Sequence, residues 1–114
     1  MTDGPARQPE ALLEDKLAAL RAAYRRALPE QLDALARWLD ACTGAGAAGA
    51  LEDAWHLAHR LKGTSGSYGF VELAAQLETI EEILEGARRI RSPATDDERA
   101  RAVAALGRAR ALLA

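Results

Sequence analysis

Apolar residues recur at three- and four-residue steps along most of the chain, the period of a helix with one buried face. Leu12, Leu13, Leu17, Leu20 and Tyr24 mark a first helix from about Glu10 to Leu28. Pro29 suits the opening turn of a helix, where its missing N–H would be unpaired anyway. A second helix is therefore predicted from Pro29 to about Ala41, with Leu32, Leu35, Trp38 and Leu39 on its buried side. Small residues and repeated glycine from Thr43 to Gly49 then stop the helix and turn the chain.

A third helix is predicted from about Ala50 to Ser65, burying Leu51, Ala54, Leu57, Ala58 and Leu61. Gly66, Ser67 and Gly69 allow a reversal, and Leu73, Leu77, Ile80 and Leu84 define a fourth helix ending near Gly86. These two should form an antiparallel hairpin. After Ser92-Pro93, Thr95 or Asp96 can cap a fifth helix carrying Val103, Leu106, Ala109 and Leu113. The expected fold is all-α: an antiparallel four-helix bundle with an additional N-terminal helix covering part of it. Residues 1–9, with Gly4 and Pro5 and no apolar period, are expected to be a flexible leader, and residues 10–114 the folded domain.

Composition supports helix, because the apolar 49% is mainly Ala and Leu, with few aromatic or β-branched residues. Fifteen basic residues nearly balance seventeen acidic ones, and arginine is spread over several segments. Neither nucleic acid nor an anionic membrane is then an expected partner. Apolar runs are too short to span a bilayer and the first residues are polar, so a cytoplasmic protein is expected. Cys42 is the only cysteine and is read as a buried thiol, without disulfide or cysteine metal cluster.

Chemistry concentrates on the third helix. A helical wheel puts His59 on the polar border of the buried face, with Gly63 one turn on and Gly66 two turns on. Lys62 lies between that stripe and the core. Each glycine inside a helix costs about 1 kcal/mol relative to Ala. Steric clearance beside an exposed histidine is the simplest reason for placing two there. A neutral imidazole is a competent nucleophile towards an acyl phosphate, and Lys62 can neutralise charge on the transferring group.

Other readings are weaker. His56 and Glu52 share helical spacing that suits a metal pair, but His56 points almost opposite the core. Ser65 points coreward and Ser67 lies in the turn, without a triad or oxyanion hole. Gly63, Gly66 and Gly69 follow no strand and lack nucleotide-loop spacing. No metal or cofactor is assigned to the chain.

The run Ala58-His59-Arg60-Leu61-Lys62-Gly63-Thr64-Ser65-Gly66-Ser67-Tyr68-Gly69-Phe70 resembles the signature of the histidine-containing phosphotransfer (HPt) family. That signature is a histidine, a variable residue, an apolar residue, Lys-Gly, two small residues, a glycine, and a glycine three residues on. The resemblance implies a helical bundle with the histidine on a central helix. It implies that His59 is phosphorylated through Nε2 and exchanges phosphate with the aspartate of a response-regulator receiver domain, in a relay fed by a sensor or hybrid histidine kinase. It further implies no autonomous kinase activity, with any Mg²⁺ belonging to the receiver.

Hairpin geometry sets His59 opposite the Leu77–Glu81 segment, where Glu81 sits on the core border. A carboxylate accepting from the Nδ1–H would fix the tautomer that leaves Nε2 free. In some family members a Glu or Gln here contacts the histidine. Glu52, Trp55, His56 and Gly66 are assigned to the docking face around His59, and a monomer is expected. The competing class is a helical module that keeps the motif and docks without being phosphorylated, and a third is an enzyme acting alone.

Overall fold

The computed structural model describes residues 9–114, and among them there are four α-helices and no strand. In chain order these are α1 (Pro9–Ala41), α2 (Ala48–Ser67), α3 (Val71–Arg89) and α4 (Asp96–Ala111). Each packs on two neighbours, α1 and α3 both flanking α2 and α4. The result is a four-helix bundle with short connections.

The two helices expected before residue 42 are one. Helix α1 runs unbroken for 33 residues with Pro29 inside it. Proline in a helix interior removes one i→i−4 hydrogen bond and costs about 3 kcal/mol. What outweighs that cost is anchorage on both sides of Pro29. After it, Leu32, Leu35 and Leu39 are fully buried, and Leu28 is buried just before it; each such side chain contributes about 1.5–3 kcal/mol. Further back, Tyr24 Oη bonds to Ser65 Oγ at 2.8 Å and to the Leu61 carbonyl at 3.3 Å. Arg21 Nε donates to the Tyr68 carbonyl at 2.8 Å. Both segments grip the same helix, α2, and its turn, so a break at Pro29 would sacrifice one grip.

Among the described residues no separate N-terminal helix covers the bundle. The early part of α1 runs past the bundle end instead, in a helix about 50 Å long by helical rise. Of the leader expected over residues 1–9, Pro9 opens α1 and the remainder lies outside the described residues.

Most core residues fall where the apolar period places them, but Trp38 and Val103, which share that period, are exposed. Leu51, Ala54, Leu57, Ala58 and Leu61 come from α2, and Leu73, Leu77, Ile80 and Leu84 from α3. Helix α4 contributes mostly small residues, Ala102, Ala105, Leu106 and Ala109, which lets it approach its neighbours closely. It starts at a capping box in which the Thr95 hydroxyl accepts from the Glu98 N–H and the Glu98 carboxylate from the Thr95 N–H. Cys42 is fully buried, its thiol donating to the Leu39 carbonyl, and burial pushes its pKa up.

The turn between α2 and α3 sets the register of the hairpin. Phe70 N–H reaches back to the Ser65 carbonyl at 2.8 Å and Gly69 N–H to the Gly66 carbonyl at 3.0 Å. This is a Schellman ending, which requires a left-handed residue, and Gly69 supplies it with φ +84°. The reversal takes only Tyr68, Gly69 and Phe70, so α3 starts at Val71 and runs back directly along α2.

Candidate functional site

His59 lies midway along α2, on the side facing α3, with its side chain 57% exposed. The flanking Ala58 and Leu61 are buried and hold the helix against the core. Across the hairpin, Glu81 sits beside the buried Ile80 on α3, its side chain only 13% exposed. Glu81 Oε2 is 2.5 Å from His59 Nδ1, and Glu81 Oε1 accepts from Lys62 Nζ at 2.7 Å. One carboxylate thus bridges the histidine and the lysine one turn further along α2.

The electrostatics follow from that bridge. Burial would push the Glu81 carboxyl up, but hydrogen bonds from Lys62 and His59, with their charges, outweigh it and hold the carboxyl below the ordinary 4.5. Lys62 moves the opposite way, above 10.5, chiefly because of its hydrogen bond to Glu81. A depressed carboxyl stabilises the fold above its unfolded pKa, and that contribution is lost as pH falls through the folded value. A raised lysine stabilises below its unfolded pKa and loses the contribution as pH rises through the folded value. The Lys62–Glu81 contribution should therefore be intact from about pH 5 to 10 and fade below 4.5 and above 10.5. Urea unfolding of the wild type and Glu81→Gln across pH 3–7 checks this: the stability gap between them should close on the acid side. A gap that is constant with pH would refute it.

The face around the histidine is built on Trp55, one turn before it. The indole stacks on the His59 ring with centroids 5.0 Å apart and planes 6° from parallel, and His56 meets it edge-on at 5.1 Å. The Arg88 guanidinium lies 3.9 Å over the same indole while its Nε donates to Glu52 at 2.7 Å. Glu52 also stands 3.5 Å from His56 Nε2. Among the described residues no group of three or more potential metal ligands forms.

Gly63 and Gly66 continue along α2 on the exposed side of His59. A Cβ built at either would meet nothing within 4 Å. Nothing among the described residues therefore stands in the way of a side chain at either position. Ser65, by contrast, is fully buried and bonded to Tyr24.

The structure therefore gathers His59, Lys62 and Glu81 into one bonded cluster, sets Trp55, His56 and Glu52 beside it, and leaves Gly63 and Gly66 as a bare strip. The sequence assigns no site role to Arg88, which the structure places over Trp55. The signal was available in the hairpin register: Glu52 and Arg88 are symmetric about residue 70, as are His59 and Glu81. The stack of Trp55 on His59 was foreshadowed only by their separation of one helical turn.

Comparison with known families gives one match: the family model described as the Hpt domain matches residues 19–112. No curated protein and no solved structure matches the chain.

Proposed function

Because the chain belongs to the Hpt domain family, whose members carry out histidine phosphotransfer in phosphorelays with receiver domains and kinases, we propose that His59 is its phosphoacceptor. The phosphoryl group comes from a receiver-domain aspartate, or from a sensor or hybrid histidine kinase, and passes to the aspartate of a downstream receiver in the cytoplasm. The observation that supports this most is the contact of His59 Nδ1 with Glu81, because it leaves Nε2 as the nitrogen free to attack.

In the forward step the Nε2 lone pair forms the N–P bond as the P–O bond of the aspartyl phosphate breaks, and the aspartate leaves as carboxylate. The ring then carries positive charge, which Glu81 stabilises through Nδ1–H. Trp55 keeps the imidazole plane fixed by stacking, so little ordering remains to be done on docking. Lys62 has three N–H donors, so it can hold Glu81 with one and offer another to a phosphoryl oxygen. Gly63 and Gly66 admit the receiver's active site, while Glu52, Trp55 and His56 form the surface it rests on. Mg²⁺ belongs to the receiver.

The test is to incubate the wild type and His59→Ala with phosphorylated receivers. The wild type should gain an acid-labile phosphate and His59→Ala none. Equal labelling of the two would refute the assignment of His59. No labelling with retained receiver binding would favour a docking module instead, and autophosphorylation of the purified chain from ATP would favour an enzyme.

Among the described residues no helix is long and apolar enough to cross a membrane.

A further inference from the structure

The early half of α1 carries an apolar stripe that the other described residues leave exposed. Leu13, Leu17 and Leu20 are 58%, 49% and 53% exposed, although they continue the stripe that is fully buried from Leu28 onward. From Leu13 to Leu17, Leu20 and Tyr24 the steps are four, three and four residues, which is the spacing of a coiled-coil seam. The expected N-terminal helix would have laid this stripe on the bundle, and the structure leaves it open.

Charge along the same segment is polarised. Glu10 and Glu14 flank the seam near its start, and Arg21 and Arg25 flank the same edge further on. Both arginines donate to backbone carbonyls, Arg21 to Tyr68 and Arg25 to Leu113, contacts that leave their positive charge in place. Parallel pairing of two such segments would set the edge that carries Arg21 against the opposite edge of the second copy, bringing Arg21 beside its Lys16, two like charges. Antiparallel pairing brings the acidic end of one to the basic end of the other. An antiparallel coiled coil also sets like edges together, so Glu14 meets the second copy's Arg21, and a two-fold axis repeats that pair.

We propose that the projecting half of α1 is a self-association surface, on which a second copy of this chain lays the same segment antiparallel, Leu17 of each against Leu20 of the other. The apolar seam drives association and the Glu14–Arg21 pairs set its direction. His59 lies about 12 Å back from the end of α2 by helical rise, so both phosphotransfer faces stay open in the pair. The inference does not depend on whether His59 is phosphorylated.

Sedimentation of the full chain from micromolar to sub-millimolar concentration tests it. The mass should climb from the 12.2 kDa monomer towards twice that value. The double variant Leu17→Glu/Leu20→Glu should stay monomeric throughout, and should melt like the wild type at concentrations where the wild type is itself monomeric, because both positions are exposed. Glu14→Arg should weaken association roughly tenfold. A wild type that is monomeric at every concentration overturns the proposal. So does association that Glu14→Arg leaves unchanged. A monomeric wild type whose phosphotransfer is impaired by Leu17→Glu/Leu20→Glu would assign the face to a receiver or kinase instead.

Discussion

Gly63→Gln is expected to lower phosphoryl transfer about a hundredfold, the cost of misplacing reacting groups by roughly an ångström, while leaving the fold intact or more stable. The two halves of that outcome have separate physical causes. Within the chain, a Cβ at position 63 meets nothing within 4 Å, so a longer side chain has room on the free protein. Replacing glycine in a helix interior by a good helix former should stabilise by somewhat under about 1 kcal/mol. On the docked pair, the same side chain stands one turn from His59, where the receiver must bring its phosphoaspartate within bonding distance of Nε2. Single-turnover transfer from a phosphorylated receiver, measured beside a urea melt, reads both. Unchanged transfer would show that the bare strip at Gly63 and Gly66 is not a clearance for the partner.

Pro29→Ala should raise stability by up to about 3 kcal/mol. Pro29 is exposed, so its ring contributes little packing that alanine would lose. Its replacement returns an N–H that can bond to the Arg25 carbonyl, and relieves the clash of the ring with that carbonyl. Urea denaturation monitored by far-ultraviolet circular dichroism gives the difference directly. A midpoint that is unchanged or lower would mean that the packing of Leu28 and Leu32 has adapted to a bend at Pro29.

That proline also shows where the sequence was readable and where it was not. Apolar periodicity marks the buried leucines of every helix, because burial on one face is a local property of spacing. Whether two helical stretches join through a proline is not local. It depends on Tyr24 and Arg21 gripping the α2 turn some forty residues away, and periodicity carries no record of such contacts. Thr95, by contrast, caps α4 through Glu98 three residues later, and that pattern is visible in the sequence.

The site divides along the same line. His59, Lys62, Gly63 and Gly66 lie on one helix, so their mutual placement follows from helical geometry alone. Glu81 comes from the opposite helix, and a register set from the turn reaches its segment without fixing the side chain. Its bridge to both His59 and Lys62 needs the actual hairpin, whose register the Gly69 turn establishes. Arg88 over Trp55 depends on the same register, two turns further from the reversal.

The shared carboxylate has an electrical consequence. With a neutral imidazole, the single negative charge of Glu81 is balanced by the single positive charge of Lys62, so the empty cluster presents almost no net field. A phosphoryl group on His59 would carry close to two negative charges at neutral pH, as on other phosphorylated side chains, set against one positive charge on the ring. The loaded cluster would then be net negative where the empty one is near neutral, a difference felt by ions and charged side chains within about 8 Å, the screening distance in physiological salt. If His59 is the phosphoacceptor proposed above, a receiver surface can tell a carrier with cargo from one without it before the reacting atoms meet.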